Sequence, residues 1–182
     1  EEAYLDSGII ALAKQRIPWL MILMIGATVT GGIITKFEEV LSAVVVLTAF
    51  IPMLMDTGGN SGSQSSTLII RGLATGDVEL NDLWKVLWKE FRISIIAGTT
   101  LASVNFLKNI FFDRVGFQVA LTVSLTLIFT VILAKIIGGM LPLGAKKLNL
   151  DPAIMAGPLI TTVVDSIALL IYFTIASTLL SL

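Results

Sequence analysis

The stretch Pro52-Met53-Leu54-Met55-Asp56-Thr57-Gly58-Gly59-Asn60-Ser61-Gly62-Ser63-Gln64-Ser65-Ser66-Thr67 interrupts an otherwise apolar run over residues 40–70. About 20 mostly apolar residues suffice to cross a bilayer, so the run is long enough to span. Its centre nevertheless carries glycines, hydroxyls, amides and a carboxylate, groups that are costly against lipid unless they are paired. Such residues are tolerated at membrane depth when they are buried in protein or face a watery cavity. Small ones also let helices approach closely. Asn60 and Gln64, one helical turn apart, are larger than close packing requires, which favours a cavity wall. A phosphate-binding loop fits poorly, because no Gly-Lys-Ser/Thr follows and Arg71 is the only nearby cation.

The rest of the chain has the same character. Of its 182 residues 55% are hydrophobic and 14% charged, with mean hydropathy +0.94. A soluble domain is about 45–50% apolar and about 25% charged. Four more apolar runs lie at 17–34, 93–112, 117–141 and 153–182. No short alternating segments of a β-barrel appear, and helices then satisfy the backbone in lipid. The expected fold is an all-α, multi-pass integral membrane domain of five transmembrane helices over 17–182. Basic residues fix its orientation by their bias toward the cytoplasmic side. Lys14, Arg16, Arg71, Lys85, Lys89, Arg92, Lys146 and Lys147 fall on one face, against Lys36, Lys108 and Arg114 on the other, so the N-terminus is expected inside. Residues 1–16 mix charged and apolar side chains, as an amphipathic helix would. Trp84 and Trp88, beside Lys85 and Lys89, read as an interfacial belt.

Net charge −1 and a pI near 5.4 give no reason to expect nucleic acid. The chain has no Cys and no His, which removes thiolate and imidazole chemistry and argues against an enzyme. A bound metal must then be held by oxygen, which selects hard cations. The start at Glu1-Glu2, without Met, is no signal peptide and reads as the interior of a longer protein.

Asp56, Lys135 and Asp165 are ionisable groups deep inside the runs, and such groups point to function by default. Asp165 shares one helix face with Thr161, Thr162 and Pro158, at i−4, i−3 and i−7. Pro158 has no N–H, which leaves a backbone carbonyl one turn earlier without its helical donor. Carboxylate, hydroxyls and carbonyl along one stripe have the chemistry of a cation pathway. Two other readings stay open: a buried ion pair of Asp165 with Lys135, or a protonated, hydrogen-bonded Asp165. Lys135 could also snorkel to the cytoplasmic interface. Gly138-Gly139 and Pro142 are expected to end the fourth span as a close-packed break, and Asp151-Pro152 to open the fifth.

The motif from Pro52 to Gln64, with Leu68-Ile69-Ile70-Arg71 after it, resembles the second-helix signature of the MgtE magnesium channels. Gly139-Met140-Leu141-Pro142, Asp151-Pro152-Ala153, Gly157-Pro158-Leu159, Thr162-Val163-Val164-Asp165 and Leu170-Ile171-Tyr172 are similar to the family's last two helices. The resemblance implies a homodimer in the cell (inner) membrane, with a pore along the dimer axis between second and fifth helices. It implies that Asp165 holds a hydrated magnesium and that the Thr161 backbone contributes. Asn60 falls on the polar second-helix motif, with Gln64, Asp56, Thr162 and Pro158 as further pore-lining candidates. Full-length members carry cytosolic CBS sensor domains and a plug helix, and residues 1–16 resemble the end of that helix. Family members carry a small residue such as Ala where this chain has Thr161, and Asn where it has Ser63.

Magnesium sheds water reluctantly and prefers octahedral oxygen geometry, so one carboxylate per subunit can hold it through its water shell. Two Asp165 side chains across a twofold axis would balance a divalent ion. Manganese and cobalt accept the same ligands, so the sequence does not choose among the three. A sodium- or proton-coupled carrier of divalent cations is the alternative, with Asp165 as its coupling site.

Overall fold

The computed structural model describes residues 8–181, with backbone alone at 153–156, and its regular structure there is entirely helical. Six α-helices follow in chain order: α1 (Ile9–Lys36), α2 (Glu38–Ala43), α3 (Ile51–Thr75), α4 (Leu83–Phe111), α5 (Phe117–Lys147) and α6 (Pro152–Leu179). Short 3-10 turns at Val45–Phe50 and Leu80–Asp82 precede α3 and α4.

Among the described residues, four helical stretches are long and apolar enough to cross a membrane: Ile9–Lys36, Leu80–Phe111, Phe117–Lys147 and Gly157–Leu179. The fifth expected span is α3. Its 25 residues are long enough, but the polar motif keeps it from being apolar enough. The run over 40–70 is also not one helix. It divides into α2, the 3-10 turn and α3, and the break falls at Val44, whose φ and ψ of −135° and 77° are extended. The glycine-rich motif itself is continuous helix. The polar motif thus interrupts the apolar run without interrupting the helix, and the break in the backbone, at Val44, lies before the motif begins.

Other boundaries moved as well. The Trp84 and Trp88 segment is the exposed first part of α4, joined to the third run without a break. Pro142 lies inside α5, which continues to Lys147 instead of ending near residue 141. Residues 1–7 of the expected plug-like segment lie outside the described residues, and its remainder, from Ile9, is continuous with α1.

Helix α5 is central, packing on α3, α4 and α6, while α1 leans chiefly on α6. Over residues 58–66 the buried face of α3 is small: Gly58, Gly59, Ser61, Gly62, Ser65 and Ser66. That choice permits close helix crossing, since a Cβ on Gly138 of α5 would lie 2.1 Å from the Gly62 carbonyl oxygen. At the opposite end Leu47, Phe50, Leu54, Val123, Leu127, Tyr172 and Phe173 build the main apolar core. The Tyr172 hydroxyl donates to the Leu47 carbonyl at 2.8 Å, both buried, and fastens the 3-10 turn to α6. Gly76, at φ 82°, ends α3 in the left-handed conformation that glycine adopts without strain.

Candidate functional site

The face of α3 opposite its small residues carries Asp56, Asn60, Gln64, Thr67 and Arg71, all exposed. Spacings of three and four residues align them as one stripe. Asn60 Nδ2 donates to Asp56 Oδ2 at 3.1 Å, which ties the upper two together. Across from them, α6 presents Thr161 and Asp165, both partly buried. Gly59 lets α6 come close, because a Cβ there would sit 3.0 Å from Thr161 Cγ2.

The result is one cavity of about 410 Å3 that brings together Asp56, Asn60, Thr161 and Asp165, with Pro52 and Met55 at its edge. Six waters occupy roughly 180 Å3 at about 30 Å3 each, so a fully hydrated small cation fits. The hydroxyls of Thr161 and Thr162 both donate to the Pro158 carbonyl, each at 2.9 Å. Their protons are thereby turned away, leaving oxygen lone pairs to accept. Among the described residues no three acidic side chains converge closely enough to cage an ion.

The other candidates separate from this cavity. Thr162 faces α1, its Cγ2 only 2.1 Å from where a Cβ on Gly26 would be. Pro158 is exposed and acts through its carbonyl. Gln64 belongs to a second cavity that shares Asn60 with the first. Lys135 does not pair with Asp165: among the described residues the ion pairs are Lys85 with Asp82 and Lys108 with Asp113. Instead of snorkelling, Lys135 is buried and reaches Gln64 Oε1 at 3.5 Å.

Glu90 went unnoticed in the sequence. It is buried on α4 and accepts a hydrogen bond from Ser65 at 2.5 Å. A signal for it existed in Val86, Glu90, Ser94, Gly98 and Ala102, a buried face at spacing four in which Glu90 is the one charged member.

Long apolar helices around an oxygen-lined polar seam define a multi-pass membrane protein with the makings of a cation pathway. The profile of the MgtE family, described as divalent cation transporter, matches residues 51–175. The chain belongs to that family. It is 40% identical over 178 residues to the magnesium transporter MgtE of Thermus thermophilus, covering 97% of this chain and 39% of that protein. It is 37% identical over 175 residues to the magnesium transporter MgtE of Bacillus subtilis, covering 94% and 38%. The Enterococcus faecalis magnesium transporter MgtE is 28% identical over 165 residues, covering 91% and 36%. The chain thus spans under two fifths of the length of these relatives.

Proposed function

We propose that this chain is the membrane-embedded, ion-conducting part of a magnesium transporter, with all five long helices spanning and Asp165 as the site that holds the hydrated ion. The observation that carries the reading is the cavity joining Asp165 and Thr161 of α6 to Asp56 and Asn60 of α3. The stripe on α3 is exposed in the single chain, which in lipid is unfavourable. Two copies that face each other across this stripe would cover it and complete a pore, with two Asp165 carboxylates opposite the ion. Long-range attraction then favours a divalent over a monovalent cation, and the retained water shell keeps binding weak enough for release. The basic bias of the loops orients the N-terminus and the Arg71, Lys146 and Lys147 ends toward the cytoplasm. Cytosolic CBS domains elsewhere in the full-length protein are the expected partners of this part.

The test is magnesium flux into proteoliposomes with sodium and pH gradients clamped to zero, for the chain and for Asp165→Asn. The expected outcome is flux in the first and none in the second, with unchanged elution of the purified proteins. Normal flux in Asp165→Asn at matched reconstitution refutes the site. Flux that appears only under a sodium or proton gradient replaces the pore with a coupled carrier.

A further inference from the structure

The second cavity, about 770 Å3, lies between α3, α4 and α5 and is walled by Asn60, Gln64, Ser65, Glu90 and Lys135. Two opposite charges reach it, and both are buried: Glu90 is 5% exposed and Lys135 6%. Buried charges are normally paired, because desolvation costs several kcal/mol per ion. These two are not within ion-pairing distance, since the ion pairs among the described residues are elsewhere. The Lys135 ammonium has three donors, and its hydrogen-bond partner is Gln64 Oε1 at a long 3.5 Å. The Glu90 carboxylate has about four acceptor sites and takes one side-chain hydrogen bond, from Ser65. Both groups therefore keep hydrogen-bonding capacity turned toward the cavity they share.

The arrangement is held from behind. Gly138 crosses Gly62 in close contact one turn from Lys135, and a Cβ on Gly139 would stand 3.3 Å from Glu90 Cγ. Through Asn60 the cavity adjoins the one that holds Asp165. It follows the same α3 stripe toward Thr67 and Leu68, the end that carries Arg71.

We propose that Glu90, Gln64 and Asn60 form a second station for a hydrated divalent cation, in which the Lys135 ammonium is a tethered competitor that keeps the station weak. The proposal rests on the pathway reading above for its place along the route. Its chemistry stands on this cavity alone. Glu90 and the amide oxygens accept from the water shell of a cation, as an oxygen-only site for a hard ion requires. The fixed positive charge of Lys135 opposes a divalent ion arriving beside it, so residence is short. A station of this kind passes an ion on from Asp165, since conduction needs successive sites that release as readily as they bind.

The electrostatic and the merely structural roles differ in sign. The chain in liposomes is titrated with Mn2+, free Mn2+ is read by its EPR signal, and Mg2+ is used as competitor. In Asp165→Asn a weak saturable site is expected to remain. Adding Glu90→Gln, which keeps the acceptor for Ser65, should abolish it. Adding Lys135→Met instead should tighten it by about tenfold or more. Should Lys135→Met fail to fold, Lys135→Gln removes the same charge and keeps a polar partner for Gln64. No saturable site in either the Asp165→Asn or the Asp165→Asn, Lys135→Met chain overturns the proposal. So does residual binding indifferent to Glu90→Gln, or weakening by both Glu90→Gln and the Lys135 change. Failure of the Asp165 reading shows separately, as unimpaired flux in Asp165→Asn alone.

Discussion

Gly138→Ala is the smallest change that tests how the pathway is held together. A Cβ at that position would lie 2.1 Å from the Gly62 carbonyl oxygen and 2.8 Å from its carbon, where ordinary contact begins at 3.4 Å. Backbone cannot rotate out of the way, so α3 and α5 must part by about 1 Å or more in an interior packed like a crystal. Overpacking of this kind costs about 1–3 kcal/mol or more. Replacing a helical glycine with alanine offsets about 0.8–1.0 kcal/mol of that. The net loss is up to about 2 kcal/mol, or a fall of up to about 8 °C in the unfolding midpoint for a chain of this size. Gly144→Ala in the same helix is the control. Nothing lies within 4 Å of its added Cβ, so only the propensity gain remains and the midpoint holds or rises. The assay is the fraction of detergent-solubilised protein that elutes normally after heating. A midpoint for Gly138→Ala equal to or above that of Gly144→Ala would refute the close crossing, and with it the placing of Gln64 beside Lys135.

Three further outcomes are expected. Thr161→Ala should keep magnesium flux within about threefold of the parent chain, because the backbone carbonyl remains while only the hydroxyl is lost; a loss as complete as in Asp165→Asn would make that hydroxyl the ligand. Tyr172→Phe removes a hydrogen bond to the buried Leu47 carbonyl and should cost about 0.5–1.5 kcal/mol. Its signature is faster amide exchange confined first to residues 44–50. Gly26→Ala should loosen α1 from α6, because Thr162 Cγ2 stands 2.1 Å from the new Cβ. Thr162→Ser deletes that methyl and should restore the midpoint in the double variant, a coupling that independent sites do not give.

Hydropathy and polar spacing carried much of the architecture. The positions of α1, α5 and α6 follow from long apolar runs, and the stripe of Asp56, Asn60 and Gln64 follows from helical spacing. The break before α3 did not follow, because Val44-Val45-Val46-Leu47 is as apolar as any helix around it. What accompanies the break is tertiary: Tyr172, 125 residues away, donates to the Leu47 carbonyl and ties the turn to α6. Pro142 misled in the opposite direction, since α5 continues past it to Lys147. The partners of Lys135 were likewise beyond reach. Asp165 was the obvious counter-charge in sequence, but the Gly62 and Gly138 crossing sets Lys135 against α3 and α4 instead.

Helix α1 has a mechanical consequence. At 28 residues it is about 42 Å long, and its principal support is α6. The contacts are few and well placed: Gly26 against Thr162, and the Thr30 hydroxyl 3.0 Å from that of Ser166. Thr162 and Ser166 flank Asp165 along α6. A displacement of α1 at Gly26 and Thr30 is therefore delivered to the residues on either side of the carboxylate.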